Sequence, residues 1–298
     1  MNILIYPHEP FKLSDGGITV TYYLAKILRD LRMNVKIHPV KGISQNDIFT
    51  EYYNYEFAIV DCIVIYCEGV IGNPLNAPKV VRWMLSPLGT NVPTERATTW
   101  GKNELVYYFN SESRHNQKEI HKLLSVPYLH PDIQNYNILK EGYCHTYRKA
   151  RYYHKKELKV LHPRDSYNIK MNVSPDQYIR IFNKYKYFVC YDPLSFLCTI
   201  AVYCGCIVIV HPHDDKTKNE WFENTMYSEF IKQTGKRIYG ISYGNTPEEL
   251  EFADRTVHLA KGQWDNEIGL FYKSTVVSFI HDLMDFDKNI NTLQNNFF

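Results

Sequence analysis

The sequence predicts an α/β protein built from two Rossmann-like halves, which join around residues 98–104. Two observations support this prediction. Apolar runs of strand length alternate with helical patterns along the chain, as in βαβ units with parallel sheets. In residues 187–210, an apolar run is followed by a helical pattern beginning at Ser195, by Gly205 and by a β-branched run, which is one complete βαβ crossover.

Composition sets the class of protein. The 298 residues suffice for one large or two medium domains, and 45% hydrophobic and 22% charged residues are typical of a soluble protein. A formal charge of +2 argues against a nucleic-acid partner or a polybasic membrane arm. The apolar start at residues 2–6 is too short for a signal peptide, and no uninterrupted apolar run of about 18 residues occurs. We therefore expect no transmembrane segment and a cytoplasmic protein, or one of the host cytoplasm if the chain is viral.

The cysteines give no sign of a metal centre. The seven cysteines lie mostly inside apolar, strand-like runs, which predicts small buried thiols in a reducing compartment. Cys204 and Cys206 are too close together for a usual zinc pair, and no second pair matches them. No structural metal is expected.

The first half begins with a βαβ pattern. Its first strand is a short β-rich run, and the helical pattern follows a glycine pair. Two further apolar runs of strand length complete an N-terminal domain over residues 1–103. The predicted elements are, in order, strand 2–6, helix 18–31 and strands 35–39, 58–66 and 80–85.

The second half, residues 104–298, is predicted to be a C-terminal domain. Ser174-Pro175 and Thr246-Pro247 are typical helix starts, each with a capping residue followed by a first-turn proline. The last amphipathic pattern is long enough that the helix could cross back to the first domain. The predicted elements are, in order, strands 104–109, 143–147 and 158–162, helix 174–183, the crossover 187–210, and helices 247–259 and 267–285.

Asp15, Gly16 and Gly17 lie between the first strand and the first helix. Residues without a Cβ at this place let a bound group approach the backbone closely, although such pairs also occur in simple turns. His8 and Asp15 are candidate acid/base groups in the same loop, although a lone loop histidine is more often structural or solvated.

Glu68 follows the third strand-like run of the first half. A carboxylate at the carboxyl end of a parallel strand is well placed to act as a base or to accept hydrogen bonds from sugar hydroxyls. The alternative is a turn carboxylate that pairs with Arg82 in the next apolar run and holds two strands together. The sequence leaves both interpretations open.

Arg148 and Lys149 follow a strand-like run of the second half. Two cations at a strand end could bind a diphosphate through charge-assisted hydrogen bonds. Since Lys155 and Lys156 extend the charge run, a solvated basic turn is the alternative.

Ser166 and Ser195 are the remaining polar candidates. Ser195 precedes a helix whose unpaired N–H groups suit a phosphate, with Tyr191 and Asp192 just before it. Equally, Ser195 could be an ordinary helix cap. Ser166 ends the run that begins at His162 and could line a pocket for a base or a ribose.

Together these segments resemble a family of glycosyltransferase-like proteins with two facing Rossmann domains, the GT-B architecture found among capsule, lipopolysaccharide and viral surface-glycan glycosyltransferases. The resemblance covers nearly the whole chain. Cys67, Ala150 and Ser195 depart from the family pattern, where proline, glycine and threonine are usual. The matching places are, in order, Asp15-Gly16-Gly17; Glu68 with Gly72-Asn73-Pro74-Leu75 and Arg82-Trp83; Gly142-Tyr143-Cys144 with Arg148-Lys149; His162-Pro163-Arg164-Asp165-Ser166; Tyr191-Asp192 through Cys204-Gly205-Cys206; and Gly240-Ile241-Ser242-Tyr243-Gly244.

The resemblance implies transfer of a sugar from a nucleoside-diphosphate sugar to a glycan or other hydroxyl acceptor. Glu68, Asp15 and His8 are then the base candidates, in that order. The acceptor would bind mainly to the first domain and meet the donor in a cleft between the domains. The implied donor-binding residues are Gly16, Gly17, Arg148, Lys149, Ser166, Tyr191, Asp192 and Ser195.

No convincing acidic metal motif occurs at a strand end, since Asp214-Asp215 lies in a predicted loop. A metal-independent reaction without a cofactor is therefore expected, in which the helix terminus and the cations stabilise the diphosphate. The rival hypotheses are a nucleotide-sugar epimerase of similar fold and a non-catalytic nucleotide-sugar binding module. A dinucleotide-dependent oxidoreductase fits less well, because the first turn lacks the G-x-G-x-x-G spacing.

Overall fold

The computed structural model describes residues 1–12, 15–42, 48–54, 56–110, 122–126, 132–147, 150, 158–170, 173–192, 195–212, 217–223, 225 and 227–295. Within these residues the strands pair in parallel, in one six-stranded and one five-stranded sheet. The predicted α/β class with two Rossmann-like halves is confirmed.

The described strands are β1 Asn2–Tyr6, β2 Asn34–Ile37, β3 Cys62–Cys67, β4 Lys79–Met84, β5 Leu105–Tyr108, β6 Lys122–Leu123, β7 Tyr143–Thr146, β8 Tyr167–Asn168, β9 Tyr187–Cys190, β10 Ile207–Val210 and β11 Ile241–Tyr243. The described helices are α1 Gly16–Asp30, α2 Pro175–Lys184, α3 Phe196–Tyr203, α4 Lys218–Glu223, α5 Ser228–Thr234, α6 Pro247–Thr256, α7 Ala260–Gln263 and α8 Gly269–Asn295.

The chain divides into two compact units, one of Met1–Tyr128 with Leu270–Phe298 and one of Leu129–Gly269. The expected boundary at residue 103 is wrong, because β5 pairs in parallel with β4 and so belongs to the first sheet. The expected strand at 158–162 is also wrong. These residues have no strand pairing, and β8 pairs with β7 instead.

The first unit has the sheet order β2-β1-β3-β4-β5-β6. One face of this sheet packs with α1 and α8 in a core that includes Tyr22, Leu28 and Phe279. Polar contacts also tie α8 to this unit. Tyr107 Oη donates to Asp282 Oδ2 over 2.7 Å, and Thr275 Oγ1 accepts from the backbone N–H of Ser125 over 3.1 Å.

The second unit has the sheet order β11-β10-β9-β7-β8. The predicted crossover forms β9, α3 and β10, and the β9–β10 pair is parallel. Gly205 ends this helix with a φ of +81°, and a Cβ at this position would clash with the side chain of Asn135. The predicted caps are also present, since Ser174 forms a capping box at α2 and Thr246 accepts from the N–H of Glu249 at α6.

Candidate functional site

The strand order of the first sheet marks one place on its edge. β2 lies on one side of β1, and β3 with the later strands lies on the other side, so the strand order reverses between β1 and β3. Such a reversal is a topological switch point, where ligands of open α/β sheets bind. Tyr6 is in register with Tyr66, and Cys67 with Trp83. The residues that follow β1, β3 and β4 therefore meet at the same level, beyond the carboxyl ends of the strands.

Glu68 is the buried carboxylate at this switch point, with 6% of its surface exposed. Its Oε2 accepts the backbone N–H of Leu85 over 2.9 Å, and its Oε1 lies 2.7 Å from Ser86 Oγ, which donates to it. Among the ion pairs of the described residues, none includes Glu68. The carboxylate is thus oriented by neutral donors, and its charge is not neutralised by a cation of the described chain.

His8 and Asp15 lie at the same edge, and both are exposed. His8 Nδ1 is 3.4 Å from the Sγ of buried Cys67, and burial, reinforced by the neighbouring Glu68 charge, raises the pKa of that thiol to about 12. Asp15 caps α1, because its Oδ1 accepts the N–H of Ile18 over 3.0 Å. One oxygen of Asp15 is therefore used by the helix, whereas the His8 ring makes a weak contact to sulfur.

Gly16 and Gly17 form the first turn of α1. A Cβ at Gly17 would lie 3.5 Å from Asp15 Oδ1 and 3.7 Å from Leu85 Cδ1, which are ordinary contacts. The fold itself therefore has room for a side chain at Gly17. Gly17 thus lies beside the side chain of Leu85, the residue whose N–H holds Glu68.

Arg82 does not pair with Glu68, so that interpretation of the sequence is wrong. The guanidinium of Arg82 is fully buried, and its Nε donates to Glu104 Oε2 over 2.6 Å and its Nη2 to Glu104 Oε1 over 3.1 Å. It also donates to the carbonyls of Val70 and Gly72. Glu104 directly precedes β5, and it is the counterion of the Arg82 guanidinium that the sequence had offered to Glu68.

The second sheet has its switch point between β7 and β9, from which the order runs to β8 on one side and β10 on the other. Thr146 is in register with Cys190, and Cys190 with Val210. Tyr147, Tyr191 and His211 therefore follow the strand ends at one level. The rings of Tyr147 and Tyr191 stack with centroids 4.4 Å apart, and His211 lies 5.1 Å from Tyr191.

Two histidines complete this aromatic cluster. The rings of His145 and His162 stack at 3.7 Å, and His162 Nδ1 lies 2.7 Å from Tyr191 Oη. The hydroxyl of Tyr191 also accepts the N–H of Leu161 over 2.8 Å. Ser166 Oγ is 2.8 Å from His145 Nδ1. Ser166 thus reaches the cluster, but from the residue before β8 and not from the end of a strand.

His145 makes the stability of this cluster depend on pH. Burial, reinforced by the neighbouring His162, lowers the pKa of His145 from 6.5 to about 4. Above pH 6.5 the ring is neutral in both states. Below that pH the unfolded chain takes up a proton that the folded chain refuses until about pH 4, so acidification favours unfolding.

We therefore predict that the free energy of unfolding falls by about 3 kcal/mol between pH 6.5 and pH 4 through His145 alone. Urea unfolding at several pH values measures this loss, with His145→Phe as the control, because it keeps a stacked ring but removes the titration. The variant's profile should be flatter by that amount. Parallel profiles for the two proteins would contradict the assignment.

The remaining predicted donor residues have mixed outcomes. Ser195 caps α3, where its Oγ accepts the N–H of Leu197 over 3.3 Å, and Asp192 is buried directly after Tyr191. Arg148 and Lys149 lie outside the described residues, as do Asp214 and Asp215. Their assignment stays a prediction.

Sequence reasoning missed several residues of both edges. Ser86, His145, Tyr147 and His211 carry no local motif. Ser86, Tyr147 and His211 come just after strand ends, which parallel strands align, whereas His145 lies inside β7 and gives no such signal.

Three further properties concern the described part of the chain. It contains no cluster of three or more histidine, cysteine, aspartate or glutamate side chains arranged to hold a metal ion. None of the helices found there has the length and apolar character needed to cross a bilayer. All seven cysteines are buried and unpaired, as their apolar surroundings predict.

Neither a comparison with protein-family models nor one with curated proteins finds a match. Two solved structures similar to the chain are both of T4 phage BGT. The complex with its UDP-glucose substrate has 9% identity and a TM-score of 0.47, and the complex with UDP and Mn2+ has 11% identity and a TM-score of 0.48. Each alignment covers 98% of this chain and 99% of the other. Similarity at this level does not by itself establish a shared activity.

Proposed function

We propose that this protein is a glycosyltransferase that moves a sugar from a nucleoside-diphosphate sugar to a glycan or other hydroxyl acceptor. The observation that carries the proposal is the convergence at the first switch point. Glu68 on one side and His8, Asp15 and Gly17 on the other, which come from two separate segments of the chain, lie at one edge of one sheet. An oriented, buried carboxylate beside an exposed loop is what the activation of a hydroxyl requires.

The proposed reaction is a substitution at the anomeric carbon of the donor sugar. The acceptor oxygen forms the new bond, the bond from that carbon to the diphosphate oxygen breaks, and its electron pair leaves with the nucleoside diphosphate. In an inverting transfer the acceptor proton passes to Glu68, because its carboxylate is oriented and has no cation partner in the described chain.

The donor is proposed to bind at the second switch point. The half-buried His162 and Ser166 are joined there through His145 and the buried Tyr191, and Asp192 and Ser195 follow Tyr191 in the chain. Aromatic rings suit the base, and the start of α3 suits a phosphate. Arg148 and Lys149 would balance the diphosphate charge, so we expect turnover without a divalent ion.

The test is calorimetric titration with UDP, GDP, dTDP and CDP and their common sugars, with a divalent ion and with a chelator. Tight binding of one nucleotide class in the presence of chelator supports the donor site and metal independence together. Transfer is then followed as release of nucleoside diphosphate that requires an added hydroxyl acceptor. Release of a free epimerised sugar nucleotide would instead favour an epimerase, and binding without turnover a binding module.

Replacing Lys149 with alanine is predicted to weaken donor binding by about 1–3 kcal/mol, because one charge-assisted hydrogen bond to the diphosphate is lost. Calorimetry measures the change in donor affinity. Lys261→Ala is the matched control, since Lys261 is an exposed lysine of α7 whose ion pair is with Asp265, four residues further along the chain. Equal donor affinity for Lys149→Ala and the wild type would remove Lys149 from the site.

A further inference from the structure

A chain of hydrogen bonds leads from the surface of the first unit to the Glu68 carboxylate. Asn91 Nδ2 lies 3.0 Å from Ser86 Oγ, and Ser86 Oγ lies 2.7 Å from Glu68 Oε1. Asn91 is exposed, Ser86 is half-buried and Glu68 is buried. Neither Asn91 nor Ser86 belongs to the motifs that identified the site.

The direction of the protons in this chain is fixed by donor counting. The Asn91 amide nitrogen can only donate, and an ionised carboxylate can only accept. Ser86 must therefore accept from Asn91 and donate its single hydroxyl proton to Glu68. With the N–H of Leu85 on Oε2, both carboxylate oxygens are held from the same two-residue segment after β4.

The loop after β4 has the conformation needed to bring Asn91 back over Ser86. The N–H of Gly89 donates to the carbonyl of Val92 over 2.7 Å, and the N–H of Thr90 donates to that of Pro87 over 3.2 Å. Gly89 has a φ of +90°, which a residue with a side chain rarely adopts. The loop is thus a closed turn that returns toward its own start.

We propose that Ser86 and Asn91 are positioning residues for Glu68, which hold its carboxylate in the orientation that receives the acceptor proton. This inference rests on the proposed glycosyltransferase function. Each oxygen of Glu68 keeps a lone pair that is not used by Leu85 or Ser86, and fixing both oxygens fixes where those lone pairs point. Proton transfer is sensitive to displacements of about 1 Å, so loss of the Ser86 hydroxyl lowers the rate without removing the base.

The experiment compares Ser86→Ala, Ser86→Thr and Asn91→Ala in a steady-state transfer assay with the donor found by calorimetry. Ser86→Ala should lower kcat by about 10- to 100-fold, with donor KM unchanged and the fold retained at the assay temperature. Ser86→Thr keeps the hydroxyl and should recover kcat to within about threefold. Asn91→Ala, on the surface, should lower kcat by about three- to tenfold. Thr98→Ala is the control, because its exposed hydroxyl donates to the carbonyl of Glu95 and the variant should leave kcat unchanged.

A positioning role also predicts non-additivity. In the Glu68→Gln background, Ser86→Ala should cause no further loss of kcat, whereas a purely structural effect would add to it. Wild-type kcat in Ser86→Ala, or additive losses in the double variant, would overturn this inference and leave the proposed function standing. A wild-type protein that neither binds nor transfers any nucleotide sugar would overturn both.

Discussion

Replacing Glu104 with leucine is expected to lower the free energy of unfolding by about 3–5 kcal/mol, because it leaves the Arg82 guanidinium buried without its counterion. Arg82 has no exposed surface, and only 9% of the Glu104 side chain is exposed. The guanidinium also lies over the rings of Tyr66 and Trp100, at 4.8 and 5.5 Å, where water cannot replace the lost carboxylate. Urea unfolding monitored by circular dichroism measures the loss.

A double-mutant cycle separates the pair from general damage to the core. Arg82→Met alone should be similarly costly, but the combination with Glu104→Leu should cost clearly less than the sum, since no unpaired charge remains. Asp30→Ala is the control, because the pair of Asp30 with Lys26 is exposed and should contribute no more than about 0.5 kcal/mol. Additive losses in the cycle would show that Arg82 and Glu104 are not coupled.

The same pair shows what the sequence could not predict. Glu68 and Arg82 belong to the same motif, and pairing them was one of the two interpretations that the sequence leaves open. The choice was decided by β5, whose partner strand could not be known from its own residues. Because β5 pairs with β4, Glu104 reaches Arg82. Glu68 instead accepts hydrogen bonds from the residues that follow β4.

Local order was more predictable than assembly. The first strand, the crossover at residues 187–210 and the caps at Ser174 and Thr246 follow from apolar runs, glycine and capping chemistry, all of which act within a few residues. The domain boundary and the false strand at 158–162 failed because sheet membership depends on distant partners. An apolar run predicts that a segment is buried, but it does not predict which strand the segment pairs with.

The aromatic cluster of the second unit illustrates the same limit for a site. His145, His162 and Tyr191 come from three separate segments, and only His162 and Tyr191 belong to sequence motifs of the site. Their convergence requires the parallel register of β7 and β9 and the irregular segment that carries Leu161 and His162. The rule that ligands bind at switch points needs the strand order, which the residues of the individual strands do not reveal.

Glu68→Gln is expected to lower kcat for sugar transfer by about 10²- to 10⁴-fold, the usual contribution of a general base. The amide has nearly the same shape, and its oxygen can still accept the N–H of Leu85, so the fold should persist. Donor affinity, measured by calorimetry, should be unchanged, because the proposed donor surface belongs to the second unit. The loss should therefore appear in kcat and not in donor binding.

The choice among the three base candidates follows from parallel variants. Asp15→Asn removes a carboxylate that already caps α1, and His8→Gln removes an exposed ring with a weak contact to sulfur, so both should lower kcat less than Glu68→Gln does. Glu95→Gln changes an exposed carboxylate of the same unit and should have no effect. If Glu68→Gln turned over within threefold of wild type while Asp15→Asn or His8→Gln did not, the base would be that residue, and the buried carboxylate would serve only to join the ends of β3 and β4.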